Sequence, residues 1–153
     1  LGGILISTTI GYFEETMRST IVIAAFIPMM VYMSNAVGQQ LTAFVIRDSA
    51  MDENISYAKY FIRQFIITTI ISVVLSFALF VISLFIHNNI RITWALSIAL
   101  FGTVMSSIFT GFIVPYVFVK LRLDPANTSG PIGTVIQDFL SILIYFLIVI
   151  AIV

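Results

Sequence analysis

The sequence predicts an all-α integral membrane protein, a bundle of five helices crossing a bilayer, the first of them truncated. Three observations predict it. Of 153 residues, 60% are hydrophobic and 9% charged, with a mean hydropathy of +1.13, whereas a soluble domain carries about 25% charged residues. Several apolar runs reach the roughly 20 residues that a membrane span requires. The charged residues gather between those runs rather than within them. This composition excludes a water-soluble enzyme, a nucleic-acid binder and a disordered tail. The absence of cysteine excludes a disulfide-stapled secreted module. Seven basic residues balance seven acidic ones, so net charge selects no partner.

The elements follow in order. Leu1 to Phe13 is apolar but too short to span, and reads as the far end of a first helix; a chain opening on Leu1 rather than Met reads as a fragment. Glu14, Glu15 and Arg18 mark a polar turn. A second helix covers residues 19–46, closed by Arg47, and residues 48–54 form a loop by composition. The third covers 57–86, opened by Lys59 and Arg63, and His87 to Arg91 makes a polar turn. The fourth covers 93–119, closed by Lys120 and Arg122. Asp124 to Pro131 carries Pro and Gly and reads as a turn, followed by the fifth helix over 131–153. Residues 1–153 thus form a single transmembrane domain. Helices are required because hydrocarbon offers no partner to unpaired backbone groups. The alternating ten-residue segments of a β-barrel are absent, and five apolar segments are not one cleavable leader.

Basic residues set the orientation. The loops after the second and fourth helices, with their flanks, hold Arg47, Lys59, Arg63, Lys120 and Arg122, against Arg18 and Arg91 in the other set. The first set is placed in the cytoplasm, so the N-terminal side is cytoplasmic and the C-terminus outside. Tyr57, Tyr60, Phe61, Trp94 and Tyr116 fall near the expected interfaces as anchors.

Ionisable groups at membrane depth are costly and mark candidate sites. Asp138 is the acidic residue well inside an apolar segment, without a basic neighbour in sequence. It requires a cation, a proton or a hydrogen-bonding helix to compensate it. Gly130, Thr134 and Asp138 recur every four residues on one helical face, which Ser141 and Tyr145 extend. That stripe suits either a cation pathway or a plain seam between helices. The second helix carries a polar centre of Ser34, Asn35, Gly38, Gln39, Gln40 and Thr42. Asn35 and Gln39 share a face, Gly38 permits close approach or a local break, and Pro28 frees a carbonyl. This cluster reads equally as helix glue or as pore lining. Met29, Met30 and Met33 read as packing, and His87, without a second His or Cys, as solvated.

Oxygen donors without His or Cys clusters favour a hard cation, Mg2+, Ca2+ or Mn2+, over Zn2+ or Cu2+. Mg2+ keeps much of its water, so a pathway with few carboxylates and several neutral oxygens suits a hydrated ion. One carboxylate per chain is a weak site; two related by a two-fold axis, the commonest homo-oligomeric symmetry, present two negative charges.

Gly111-Phe-Ile-Val-Pro115, Lys120-Leu-Arg-Leu-Asp-Pro-Ala126, Ser129-Gly-Pro131 and the close of Thr134, Asp138 and Tyr145-Phe146 together resemble the MgtE family of magnesium channels. Phe26-Ile-Pro28, Asn35-Ala-Val-Gly-Gln-Gln40 and Arg47 add a second match in the second helix. The resemblance implies a homodimer whose second and fifth helices line a central cation pathway. It places the pore carboxylate on Asp138, with Thr134 and Gly130 in the same narrow region, and a regulatory acidic residue on Asp124 at the cytoplasmic mouth. It also implies cytosolic regulatory domains ahead of this region, which this chain does not carry. Gly130 stands where some relatives have Asn, and Ser34-Asn35 where others have Gly-Gly, Gly-Asn or an acidic residue.

The reading that follows is a plasma-membrane divalent cation channel or facilitated transporter, not an enzyme. Its transported ion is Mg2+, with Mn2+ or Ca2+ as further cargo, and it uses no organic cofactor and no nucleic acid. Asp138 of two subunits holds the hydrated ion while Asn35, Gly38, Gln39, Gly130 and Thr134 line its path. The alternatives are a Na+- or H+-coupled secondary transporter and a membrane scaffold whose polar stripes only join helices.

Overall fold

A computed structural model describes residues 2–12, 21–51, 56–87 and 89–153. Among the described residues the chain is all-helical, in five helical units. These are α1 (Gly2–Tyr12), α2 (Ile21–Met51), α3 (Tyr57–His87), α4 (Ile90–Lys120) and α5 (Pro125–Ile152). The last four are long and apolar enough to cross a membrane, and α2 is the least apolar of them. Glu14, Glu15, Arg18 and residues 52–55, expected in turns, lie outside the described residues, as does the side chain of His87.

Three helix ends differ from the expected ones, each for a local reason. Helix α2 continues through Arg47 to Met51 instead of stopping at Ile46. There the Arg47 Nε donates to Asp48 Oδ1 at 2.7 Å and the Tyr60 hydroxyl donates to Asp48 Oδ2 at 2.9 Å, fastening the last turn to the start of α3. Helix α4 begins at Ile90 because the Asn89 side chain accepts from the backbone N–H of Arg91 and Ile92, the usual means of satisfying first-turn donors. Residues 125–131, expected as a turn, are already helical. Pro125 opens the helix, where a missing N–H costs nothing, and Pro131 falls within it.

Helix α4 is the central element, with α3 on one side and α2 and α5 on the other; α2 and α5 also pack on each other, and α1 packs on α5. The core joins Ile23 and Met30 of α2, Leu96, Leu100 and Val104 of α4, and Ile142, Tyr145, Phe146 and Val149 of α5. Met29 and Met33 pack against it, so the methionines of α2 fill space. The Tyr145 hydroxyl donates to the Ile23 carbonyl at 2.6 Å, tying α5 to α2 deep in that core.

Helix α4 is not uniform. Phe109–Ile113 forms a π-helical turn, and Val114–Lys120 resumes the α-helix with Pro115 in its first turn. A proline removes the N–H that the carbonyl four residues back would use, and its ring crowds that carbonyl; widening the preceding turn relieves both, as at other helix distortions. Phe112, on the π turn, meets Phe61 at 5.1 Å and Tyr60 and Tyr116 at 6.0 Å between ring centroids, and Tyr57 abuts Tyr116 at 4.8 Å. Four residues expected as interface anchors therefore form one aromatic cluster between α3 and α4. Trp94 is half-exposed against Phe80 on the same pair of helices.

Candidate functional site

The polar residues of α2 and the stripe on α5 face each other across a cavity of about 510 Å³. Asn35, Gly38, Gln39 and Thr42 line it from α2, Gly130, Thr134 and Gln137 from α5, and Thr110 from the π turn of α4. The sequence-expected residues Asn35, Gly38, Gln39, Gly130 and Thr134 are thus in one place.

Asp138 lies one turn beyond Thr134, half-buried, and accepts a hydrogen bond from the Asn35 side-chain amide. Asn35 thereby joins the carboxylate to the cavity wall. Among the described residues no Lys, Arg or His pairs with Asp138. Asp124 sits elsewhere, beside a second cavity of about 600 Å³ with Ile46, Ser49, Val119 and Arg122. Its neighbour Arg122 adopts φ 57° where the chain turns from α4 into α5. The structure therefore does not bring Asp124 together with Asp138, and among the described residues no group of three His, Cys, Asp or Glu gathers that could hold a metal.

Of the two roles open to Gly38, the structure shows no local break, and the close approach beside it rests on Gly111, since a Cβ on Gly38 would make only ordinary contact with Ser107 at 3.4 Å. Helix α2 runs unbroken through it, and a Cβ at Gly111 would sit 2.6 Å from the Gly38 carbonyl oxygen, so α2 and α4 cross nearly backbone to backbone. Gly130 has nothing within 4 Å of where a Cβ would stand; it opens the cavity rather than packing a helix. Thr134 turns its hydroxyl back to the Gly130 carbonyl at 3.0 Å.

The expected extension of the stripe to Ser141 and Tyr145 is corrected. Both are fully buried: Ser141 bonds to Gln137 and Ser34, and Tyr145 to the Ile23 carbonyl, inside the bundle. Gln137 is the residue that the sequence reading passed over. It is 1% exposed; its Nε2 donates to Ser106 Oγ at 2.9 Å and Ser141 Oγ at 3.0 Å, and its Oε1 accepts from Thr110 Oγ1 at 2.6 Å. Ser141 in turn meets Ser34 Oγ at 2.6 Å, beside Asn35. No sequence signal marks it beyond a four-residue spacing to Ser141.

Known proteins share this arrangement of sequence. The family model MgtE, described as divalent cation transporter, matches residues 27–148, which takes in every residue that lines the cavity. The chain belongs to the MgtE family. Over 146 residues, 94% of this chain, it is 32% identical to the magnesium transporter MgtE of Bacillus subtilis (strain 168). It is 22% identical, over the same share, to the magnesium transporter MgtE of Enterococcus faecalis (strain ATCC 700802 / V583). Each match covers 32% of the relative's length, so the chain spans about a third of these MgtE proteins. The MgtE match confirms the family resemblance carried by Gly111 to Pro131 and by Asn35 to Gln40, and with the four spanning helices it makes this a membrane protein.

Proposed function

We propose that this chain is the membrane-embedded, ion-conducting part of a divalent cation channel, with Mg2+ as its principal cargo. Two copies meet on a two-fold axis, and the paired Asp138 carboxylates attract a hydrated ion. Asn35, Gly38, Gln39, Gly130 and Thr134 supply neutral lining, and Asp124 attracts ions at the cytoplasmic mouth.

The observation that carries this reading is the Asp138 carboxylate, held by Asn35 at the margin of the cavity between α2 and α5 and unpaired with any base among the described residues. A carboxylate left so at membrane depth is costly unless water or a cation compensates it. A second observation supports a partner copy. Gln39 is exposed on the cavity side in the middle of α2, where lipid would leave its amide unsatisfied. A water-filled axis between two copies removes that cost. The chain lies in the plasma membrane with its N-terminal side cytoplasmic, and an inside-negative potential drives uptake by about 4.6 kcal/mol per 100 mV for a doubly charged ion.

The test is Mg2+ uptake by the purified protein in liposomes with a K+ diffusion potential, inside negative. Uptake that follows the potential alone is expected. Uptake that instead requires an opposing Na+ or proton gradient makes the protein a coupled transporter, and no uptake of any divalent ion makes it a scaffold.

A further inference from the structure

The ion-facing residues of α2 and α5 each have an inward-facing neighbour, and these neighbours are bonded to one another. Asn35 and Asp138 meet at the cavity margin, while Ser34 and Ser141 meet behind them at 2.6 Å. Gln137, adjacent to Asp138, extends this second line into α4 and saturates its amide there. The Oε1 takes the Thr110 hydroxyl at 2.6 Å; the Nε2 reaches Ser106 Oγ at 2.9 Å and the Thr103 carbonyl at 3.3 Å, besides Ser141 Oγ at 3.0 Å.

The proton count closes. The serine pair can run Gln137 to Ser141 to Ser34 to the Met30 carbonyl at 2.9 Å, or from Ser34 through Ser141 to the Gln137 carbonyl at 2.7 Å. Either direction leaves no donor unused. An amide 1% exposed, bonded to three groups on α4 and linked through Ser141 to Ser34 of α2, cannot rotate without orphaning several buried polar atoms, each at about 1–3 kcal/mol. Rotation of α5 about its axis would move Asp138 by the same angle. Thr110, moreover, belongs to the π turn, the one stretch of α4 whose helical geometry departs from the rest, and such turns recur where a helix must aim a group.

We infer that Gln137 is a positioning residue. Clamped by Thr110 of the π turn and by Ser106, it fixes the rotation of α5 that presents Asp138 and Thr134 to the ion path, and so sets selectivity among divalent cations. This rests on the transport reading for its selectivity consequence, while the rotation itself does not.

Two measurements separate them. The chain has no cysteine, so Thr134→Cys introduces a lone thiol on the cavity face. Its modification rate by a charged, water-soluble methanethiosulfonate reports the rotation of α5 without any transport. Adding Gln137→Leu or Thr110→Val is expected to change that rate at least fivefold, while Thr110→Ser, which keeps the hydroxyl, leaves it within twofold. In liposomes the same two variants, without the added thiol, are expected to lower the Mg2+-to-Ca2+ flux ratio about tenfold. A purely structural Gln137 would lower yield and melting temperature but leave both readouts unmoved in the folded fraction, and that result overturns the inference. Should Gln137→Leu not fold, Thr110→Val decides the matter alone. Altered thiol reactivity in a protein that conducts nothing upholds the positioning role and overturns transport instead.

Discussion

The carbonyl oxygen of Gly38 on α2 lies 2.6 Å from where a Cβ would stand on Gly111 of α4, with Leu41 Cβ at 3.0 Å. The two helices approach this closely because Gly111 carries no side chain at the crossing, a usual basis of tight packing in membranes. Alanine favours a helix over glycine by about 1 kcal/mol, but overpacking against backbone costs about 1–3 kcal/mol and the carbonyl cannot swing aside. Gly111→Ala is therefore expected to lower the melting temperature in detergent despite its better propensity. A melting temperature equal to or above that of the unaltered protein would show that the crossing is looser than described.

Gly130 provides the opposite case. With nothing within 4 Å, Gly130→Ala gains helix propensity without a clash, and α5 is expected to be more stable by ~0.5–1 kcal/mol. The added methyl enters the cavity beside Thr134, so Mg2+ flux should fall modestly. The pair of measurements, melting and flux, must move in opposite directions.

Much of this site was legible in the sequence, because four-residue spacing and the cost of polarity in lipid act on the chain locally. Asn35 with Gln39, and Gly130 with Thr134, were placed on faces by period alone, and the structure sets both faces on one cavity. Gln137 was not legible. A glutamine one residue from an acidic side chain points about 100° away from it, and only the packing of α5 on α4 shows what lies on that side. Nor could spacing reveal that residues 125–131 are helical, since Pro131 lies inside that helix, where proline ordinarily breaks one.

Tyr145 tests the core. Its ring is fully buried and its hydroxyl donates to the Ile23 carbonyl at 2.6 Å. Tyr145→Phe keeps the ring and removes one hydrogen bond, an expected loss of about 1 kcal/mol. Tyr145→Ala also empties the ring's volume and is expected to cost about 3–5 kcal/mol. Chemical or thermal unfolding of the two variants measures both, and equal losses would mean that the ring contributes nothing beyond its hydroxyl.

Asn35 and Asp138 should act as a unit. A hydrogen bond to a charged acceptor contributes about 1.5–3 kcal/mol, so Asn35→Ala is expected to lower Mg2+ flux by roughly ten- to a hundredfold. In an Asp138→Asn background the same change should do little more, since there is no carboxylate left to hold. A double-mutant cycle on initial uptake rates measures the coupling, and strict additivity would separate the two residues' roles.

The most direct measurement compares the initial rate of Mg2+ uptake into liposomes for the unaltered chain and for Asp138→Asn, at matched reconstitution and the same inside-negative potential. Asparagine keeps the size of the side chain and a partner for Asn35 while removing the charge. The account predicts uptake reduced at least tenfold with the melting temperature little changed. Uptake undiminished in Asp138→Asn would contradict it.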